Sequence, residues 1–323
     1  MSNLRTGVIG VGHLGNHHAR IYEQKGNLIG IYDIDPERAE FIANKYQCIS
    51  FQSQDQLLEK VDAVSLATPA STHYHIAKQV LSRRKHLLVE KPITVHMQEA
   101  KQLIDIARNN NLVLQVGHSE RFNPAYRIVK DIIKNPIFIE SHRIGFPTDR
   151  GLDVAVVLDL MIHDIDIALQ YINSPVKSIS AIGAPILSNE IDIANARVEF
   201  ENQAIANFMV SRVATKAKRK IRFFQADAYI SVDYQERKVE ICRRNFENGK
   251  GTIQMDTIED AQGEPLDLEI DSFISSIHKN SHPEVDAQDA LRALEVAWRI
   301  VEEIKKRLTF ILHDHAENID HHR

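Results

Sequence analysis

The sequence predicts an α/β protein in which an N-terminal doubly wound parallel sheet is followed by an α+β domain with an open, mainly antiparallel sheet. Three observations support this fold class. A glycine-rich turn joins the first strand to the first helix, strands and helices then alternate at short intervals, and the patterns from residue 176 onwards are mostly strands. Regular alternation is typical of a parallel sheet covered by helices, whereas successive strands indicate an antiparallel sheet. We place the domain boundary near residue 120, which gives domains 1–120 and 121–323.

The first strand and helix carry a glycine pattern with a physical purpose. Strand 6–9 runs directly into Gly10-Val11-Gly12-His13-Leu14-Gly15, a helix pattern covers residues 14–25, and a second strand, 28–32, ends at Asp33. In a dinucleotide site the first glycine permits the tight turn, the second lets backbone approach a pyrophosphate, and the third lets helix and strand pack closely. The pyrophosphate lies at the helix N-terminus, where free N–H groups favour negative charge. We therefore predict a dinucleotide site that uses this loop.

Asp33 indicates which dinucleotide the site prefers. A carboxylate at the end of the second strand bonds the adenosine ribose hydroxyls, and its charge repels a 2′-phosphate. NAD is therefore the predicted cofactor. NADP is the less favoured alternative, because Arg38 stands close to Asp33 in the chain. Asp35 and Pro36 predict the N-cap and first turn of the next helix.

The alternation continues and predicts a Rossmann-type sheet. The further strands and helices expected here are strand 61–67, a helix at 73–83 capped by Ser71, strand 86–90, a helix ending near residue 109 and capped by Thr94, and strand 112–116. Two of these strands end at the sheet's carboxyl edge, which Thr68, Pro69, Glu90 and Lys91 would share with the glycine loop: Glu90 ends strand 86–90, and the other three residues follow a strand. We assign all four to cofactor binding.

Lys91 is the first candidate for proton transfer. It follows the apolar run 87–89, and Pro92 fixes the backbone after it, so its ammonium group is held at the edge where open α/β sheets bind ligands. A lysine in such a crevice can act as an acid or base. The alternative interpretation is a surface lysine in an ordinary strand-to-helix loop.

A later helix pattern, residues 156–171, supplies a second candidate element. It carries Asp159, His163 and Asp166. Asp159 and His163 are four residues apart and so share a helix face, and Asp166 lies near that face. An imidazole beside a carboxylate suits proton transfer. An ordinary polar helix face and a metal site are the alternatives, but no third ligand motif is in register, so we predict no metal.

These motifs together resemble the Gfo/Idh/MocA oxidoreductase family. The resemblance rests on Gly10-x-Gly12-x-x-Gly15 with His18, on Glu90-Lys91-Pro92, and on Asp159-x-x-x-His163 with Asp166, and it covers nearly the whole chain. Segments 119–124 and 158–166 are most similar to the branch of UDP-N-acetylglucosamine 3-dehydrogenases. The residues before Asp159 depart from the family, since 153–157 stand where many members have a glycine run.

The resemblance implies an NAD-dependent dehydrogenase that moves a hydride between a sugar carbinol carbon and nicotinamide. The expected substrate is a UDP-N-acetylglucosamine-type nucleotide sugar, which would be oxidised at its 3-hydroxyl group. Lys91 and His163 would be the acid–base pair, with Asp159 orienting them, and the sequence does not separate acid from base. The expected substrate contacts are Arg121, Asn123, His163 and Arg212. The alternatives are a dehydrogenase of a free sugar or polyol, and a non-catalytic NAD or sugar-nucleotide sensor.

The second domain is predicted to be strand-rich, with two closing helices. The expected strands are 176–184, 193–200, 204–211, 220–224, 229–233 and 238–243, and the helices are 266–278 and 287–306. Residues 201–203 would make a hairpin turn between two of the strands. The family dimerises through such an open sheet face, so the resemblance implies a homodimer or homotetramer.

Composition narrows the class of protein further. The chain has 323 residues, of which 43% are apolar and 26% charged, which is typical of a globular protein large enough for two domains. The formal net charge of -5 argues against nucleic acid as the main partner. Two cysteines fit a reducing compartment, and no apolar run approaches the roughly 18 residues that a membrane span needs. We expect a cytoplasmic protein without a membrane partner.

Overall fold

The computed structural model describes residues 4–147, 152, 154–247, 250–259 and 262–320. The chain divides into two compact units. The first comprises Met1–Phe122 together with Glu264–Leu291, and the second comprises Asn123–Gly263 together with Arg292–Arg323. The structure therefore differs from the prediction of a single boundary near residue 120, because a late segment returns to the first unit.

The first unit is built on a six-stranded parallel sheet. Its strands are β1 Thr6–Ile9, β2 Leu28–Tyr32, β3 Ile49–Ser50, β4 Ala63–Leu66, β5 His86–Glu90 and β6 Leu114–Gly117. Their order across the sheet is β3-β2-β1-β4-β5-β6. This is the doubly wound order in which ligands bind outside the carboxyl ends of the strands, where the order reverses. The predicted parallel sheet is confirmed.

Helices cover both units. The α-helices of the described residues are α1 His13–Gln24, α2 Pro36–Lys45, α3 Gln54–Lys60, α4 Ala70–Ser82, α5 Met97–Asn109, α6 Pro124–Val129, α7 Ile162–Tyr171, α8 Pro265–Lys279 and α9 Ala287–Asp320. A 3₁₀ turn, Ser119–Phe122, precedes α6. Among the described residues, none of these helices has the length and apolar content needed to cross a membrane.

The helix starts show where local sequence decides structure. Asp35 caps α2 as predicted, since its carboxylate accepts the backbone N–H of Arg38 at 3.1 Å. The predicted caps Ser71 and Thr94 are wrong. Helix α4 begins one residue before Ser71, directly after Pro69, and α5 begins after His96. The hydroxyl of Thr94 instead donates to the carbonyl of His96 at 2.7 Å, so it stabilises the approach to the helix.

Helix α8 completes the core of the first unit. Ile270 and Phe273 are fully buried in one apolar cluster with Val8 and Leu88. The side-chain amide of Gln115, on β6, donates to the main-chain carbonyl of α8 residue Glu269 at 2.9 Å. Burial of this apolar face is the physical reason why the chain returns to the first sheet.

The second unit is an eight-stranded sheet with helices. Its strands are β7 Phe138–Ile144, β8 Val176–Ala184, β9 Ile193–Phe200, β10 Ile205–Ser211, β11 Lys218–Phe224, β12 Ala228–Asp233, β13 Lys238–Glu247 and β14 Lys250–Ile258. Their order is β14-β13-β12-β11-β7-β10-β9-β8. Only the β7–β10 pairing among these is parallel, so the predicted mainly antiparallel sheet is confirmed.

The helix that carries the second candidate element is not uniform. A π-helical turn, Val157–Met161, precedes α7, where the sequence predicted one continuous helix over residues 156–171. A π turn accommodates an extra residue and occurs often at functional sites. Asp159 lies in this turn and His163 near the start of α7, so the simple i, i+4 relation between them no longer describes their geometry.

Candidate active site

Gly10 and Gly15 make the turn between β1 and α1 sterically possible. Gly10 has a φ of +82°, and a Cβ atom there would lie 2.6 Å from Thr68 Cγ2 and 2.8 Å from the carbonyl oxygen of Ala67. A Cβ on Gly15 would overlap the carbonyl oxygen of Gly10. Both positions therefore exclude any larger residue, because its side chain would clash with protein atoms of the first unit.

Gly12 is different, because the space next to it is open. Apart from the residues next to Gly12 in the chain, no atom of the described residues lies within 4 Å of the place that a Cβ on Gly12 would occupy. Gly12 is also the N-cap of α1, and neither a side-chain cap nor an acidic residue in the first turn is present there. The N–H groups at the start of α1 thus face an unfilled region that favours an anion. This cradle fits the pyrophosphate of a dinucleotide.

Asp33 anchors the same loop. One carboxylate oxygen accepts the backbone N–H of Val11 at 2.7 Å, and the other accepts the N–H of Asp35 at 2.9 Å. The guanidinium of Arg38 lies 3.4 Å from Asp33 and 3.0 Å from Asp35. Asp33 is thus fixed beside the glycine loop, where a ribose hydroxyl would replace or share its contacts.

A cavity of about 520 Å³ joins these features within the first unit. The predicted cofactor residues that line it are Gly10, Gly12, Asp33, Thr68 and Pro69. Gly15 packs closely against the Gly10 carbonyl of the loop, and His13 and Leu14 lie in the first turn of α1. The structure therefore brings the glycine loop, the acid and the Thr68-Pro69 turn to one cavity of suitable size for part of a dinucleotide.

Glu90 is the last residue of the neighbouring strand β5, and Lys91 follows it; neither residue lines this cavity. Lys91 is half-buried, and its peptide bond to Pro92 is cis. The carboxylate of Glu90 is buried and lies 2.9 Å from Nε2 of His18, on α1. A Cβ on Gly117 would lie only 2.7 Å from this carboxylate, so Glu90 is tightly packed. His18 was part of the motif, but the sequence assigned it no contact.

The charge state of Glu90 follows from its surroundings. Burial opposes its ionisation, but the hydrogen bond from His18 and the nearby positive charges outweigh that effect, so the pKa of Glu90 lies below its ordinary value. Lys91 is one of those positive charges. Glu90 thus serves as a buried carboxylate next to Lys91, and its side chain has a structural partner in addition to the cofactor role that we predicted.

The second candidate element lies in the second unit. His163 is buried, Asp159 is half-buried, and Asp166 is buried. Their neighbour Asp164 forms a bidentate pair with Arg143 of β7, at 3.0 and 2.9 Å. This buried pair fixes the start of α7, and so it fixes the backbone that carries His163.

The three further substrate contacts predicted from the sequence all have partners within their own units. Arg121 is 4% exposed and lies 2.8 Å from Asp289. Asn123 caps α6 by accepting the N–H of Ala125 at 3.1 Å. These contacts explain both side chains structurally, and their roles toward a substrate stay predictions.

Arg212 is the clearest case of an unexpected partner. It is 4% exposed, its Nε lies 3.2 Å from the fully buried Asp192, and it donates to the carbonyl of Val154 at 2.6 Å. Asp192 also accepts three backbone N–H groups, those of residues 186–188. The guanidinium is therefore engaged in holding a turn. A contact to a substrate diphosphate stays a prediction that these surroundings do not support.

Metal ligation has no visible basis in the part of the chain that the structure describes. No group of three or more His, Cys, Asp or Glu side chains in it is arranged to hold a metal ion. Lysines of β11 also have partners inside the second unit, since Lys218 contacts His142 at 3.1 Å and Lys220 contacts Glu240 at 3.4 Å.

Comparison with known proteins agrees with this geometry. A family model described as an oxidoreductase family with an NAD-binding Rossmann fold matches residues 4–118, and the GFO/IDH/MocA C-terminal domain matches residues 141–231. UDP-N-acetylglucosamine 3-dehydrogenase of Acidithiobacillus ferrooxidans is 35% identical over 93% of this chain and 97% of its own length. A solved structure of that enzyme superimposes with a TM-score of 0.90 at 34% identity, covering 95% of this chain and 99% of the other.

A more distant relative is the NAD-dependent scyllo-inositol 2-dehydrogenase of Bacillus subtilis, which is 31% identical over 65% of this chain and 68% of its own. The doubly wound sheet, the glycine cradle and these matches define an NAD-binding oxidoreductase. The chain belongs to the Gfo/Idh/MocA family, as its motifs predicted.

Proposed function

We propose that this NAD-dependent oxidoreductase oxidises the 3-hydroxyl of UDP-N-acetylglucosamine or of a closely similar nucleotide sugar. The observation that carries the proposal is the similarity to UDP-N-acetylglucosamine 3-dehydrogenase, which extends over nearly the full length of both chains. When bound, NAD supplies the hydride acceptor that such an oxidation requires. The chain's own residues must then receive the proton that the sugar hydroxyl loses.

Lys91 and His163 are the residues that we propose for this proton. Lys91 is supported by its place after β5, next to the strand whose Thr68-Pro69 turn lines the cofactor cavity. His163 is supported by its burial near the start of α7 and by the Arg143–Asp164 pair that fixes this helix. Asp159, in the π-helical turn, would orient the imidazole or tune the pair.

Oxidation of a free sugar or polyol is the second candidate. It is favoured by the ion pair between Arg212 and Asp192. The guanidinium of Arg212, which we expected to contact a substrate diphosphate, is paired with Asp192 instead. This second candidate is disfavoured by the shorter match to the inositol dehydrogenase. The two candidates differ in whether the uridine diphosphate group is required for turnover.

The deciding experiment is a measurement of NADH formation with a panel of UDP-sugars, the matching free sugars and inositols. We expect turnover with UDP-N-acetylglucosamine and little with N-acetylglucosamine. Equal turnover with the free sugar would favour the second candidate, and no turnover with any of them would favour a sensor.

The role of Lys91 is tested by Lys91→Ala. If Lys91 is a general acid or base, kcat should fall by about 10²- to 10⁴-fold while NAD still binds. Lys101→Ala is the matched control, since Lys101 is exposed on α5 of the same unit. Normal kcat in the Lys91 variant would remove this residue from the mechanism.

We also propose that the chain forms a homodimer or homotetramer through the outward face of the second sheet. Support comes from a row of partly exposed rings on that face. Phe138 and Phe224 have ring centroids 5.2 Å apart, and Phe224 and Tyr229 are separated by the same distance. Exposed Ile182 and Met255 extend the apolar character toward both edges. Light scattering in solution would give the mass of the assembly.

A further inference from the structure

His73 joins two loops that the site needs. It lies in the first half of α4 and is 1% exposed. Its Nε2 lies 2.9 Å from the carbonyl oxygen of Thr68, in the turn that lines the cofactor cavity. Its Nδ1 lies 2.8 Å from the carbonyl oxygen of Pro92, in the loop that carries Lys91. One buried ring thus contacts the loops that follow the neighbouring strands β4 and β5.

Both partners of His73 are carbonyl oxygens, which can only accept. Each contact is therefore a hydrogen bond only when the ring nitrogen concerned carries a proton. Burial lowers the pKa of His73, the two carbonyl contacts oppose that effect, and Glu90 and Lys91 are the charged groups that also act on it. A neutral ring has a single N–H and can therefore bond only one of the two loops at a time, whereas the protonated ring bonds both together.

The two contacts have different consequences for the reaction. Thr68 and Gly10 both line the cofactor cavity, so the hydrogen bond that fixes the Thr68 carbonyl affects how the dinucleotide is held. The Pro92 carbonyl is next to Lys91, so its position affects where the ammonium group lies. A displacement of about 1 Å at a reacting group can cost roughly 10²-fold in rate. Loss of the contact to Thr68 would therefore change the affinity for NAD, whereas loss of the contact to Pro92 would change kcat.

We propose that His73 is a positioning residue that ties the Lys91-Pro92 loop to the Thr68-Pro69 turn, with Nδ1 setting the place of Lys91 and Nε2 setting the cofactor wall. This inference rests on the proposed catalytic role of Lys91. A packing role alone would make any substitution at His73 harmful in the same way. The proposal instead requires that the two ring nitrogens act separately.

Two amide substitutions separate the nitrogens. His73→Asn places an amide near Nδ1 and keeps a donor for Pro92, whereas His73→Gln places an amide near Nε2 and keeps a donor for Thr68. We expect H73N to bind NAD about tenfold more weakly with kcat reduced by less than about threefold. We expect H73Q to bind NAD nearly normally, with kcat reduced by about 10- to 100-fold.

The measurements are a titration with NAD in the absence of sugar, kcat with UDP-N-acetylglucosamine, and thermal unfolding. His73→Leu removes both donors and should combine both losses. His75→Asn is the control, because His75 is exposed on the same helix. If H73N and H73Q lose affinity and kcat to the same extent, or if neither loses either, the proposal is wrong. If only one of H73N and H73Q unfolds at the assay temperature, the proposal is also contradicted, since both variants keep a buried amide.

Failure of the proposed function would look different. If the wild-type chain turned over none of the sugars, the substrate assignment would fail. The NAD titration would still decide the Nε2 contact, because weaker binding by H73N than by H73Q needs no sugar. If Lys91→Ala proved fully active, the Nδ1 half of the proposal would fall with the role of Lys91, and the Thr68 half would stand on its own affinity measurement.

Discussion

At the scale of single residues, the three loop glycines are needed for two distinct reasons. Gly10 and Gly15 are required by protein atoms, whereas Gly12 borders open space. The sequence motif predicts all three alike, because it records only their spacing. The difference can be measured, since a methyl group at Gly12 meets nothing in the free protein and meets the pyrophosphate when a dinucleotide binds.

We therefore expect Gly12→Ala to leave the unfolding temperature nearly unchanged, because its φ is negative and its methyl group would meet no described atom within 4 Å. NAD affinity should fall by at least about tenfold, through loss of close backbone approach. Thermal unfolding and an NAD titration test both parts.

Gly15→Ala is the matched comparison for Gly12→Ala. Its methyl group would overlap the Gly10 carbonyl, so this variant should lose stability even without NAD. A Gly12 variant that unfolds as readily as the Gly15 variant would contradict the assignment of Gly12 to ligand approach.

The substrate-contact residues show where residue-level prediction stops. The family resemblance predicts Arg121, Asn123 and Arg212 as substrate contacts. Arg121 instead pairs with Asp289, which is 168 residues away in the chain, and Arg212 pairs with Asp192, which no sequence motif marks as its partner. Local pattern records the type of a side chain but not which other charge folding brings beside it, so buried ion pairs and ligand contacts are indistinguishable at that stage.

At the scale of elements, most strands and helices could be predicted because their apolar residues repeat with the expected period. Strand β7 was missed, although it is central in the second sheet. Its inward positions include Ser141 and Arg143, both buried, which interrupt the apolar alternation. Arg143 is tolerated there because Asp164, 21 residues away, pairs with it. The π-helical turn before α7 was missed for the opposite reason, since its side chains fit an ordinary helical period.

The turn between β8 and β9 depends on a buried carboxylate. Burial opposes ionisation of Asp192, but hydrogen bonds from the backbone of residues 186–188 and from the Ser188 hydroxyl lower its pKa to about 2. A carboxyl group with a depressed pKa stabilises the fold above its unfolded-state pKa. That contribution is lost as pH falls through the folded-state value.

Asp192→Asn should therefore cost about 3–5 kcal/mol at neutral pH, since it also leaves the charge of Arg212 buried without its partner. About 2 kcal/mol of this cost should disappear as pH falls from 4 toward 2. Urea unfolding at a series of pH values measures the difference. Asp105→Asn, at an exposed position of α5, is the control. A stability difference that does not change with pH would show that the carboxylate charge is not what the turn uses.

At the scale of the whole molecule, the chain is organised so that the first unit is discontinuous. Residues 264–291 return to it after residues 123–263 of the second unit, and the chain enters the second unit again from residue 292. This return brings α8 against the sheet and places Glu269 in the interior, where neither carboxylate oxygen has a hydrogen-bond partner among the described residues. A sequence pattern cannot anticipate this, because the partner surface of α8 lies some 150 residues earlier in the chain.

The acid–base balance of the first unit depends on this returning helix. Burial, and then the negative charge of Glu90, raise the pKa of Glu269 well above its ordinary value. Glu90 is held ionised by His18. The pKa values of the two carboxyl groups are therefore shifted in opposite directions, which favours one charged and one neutral group. Folding therefore takes up a proton at Glu269 at pH values between the unfolded-state and the folded-state pKa.

Glu269→Gln should consequently make the protein more stable relative to wild type as pH rises. Below the ordinary glutamate pKa of 4.5 both states bind the proton, and Glu269 adds no pH dependence. Above it the folded state binds more protons than the unfolded state, so wild-type stability falls by up to about 1.4 kcal/mol per pH unit until the folded-state pKa is reached. Glutamine is neutral throughout and lacks this slope. Unfolding free energies from pH 5 to 8 for wild type, E269Q and the exposed-site control Glu59→Gln measure the divergence, and parallel curves for wild type and E269Q would mean that Glu269 is ionised in the folded protein.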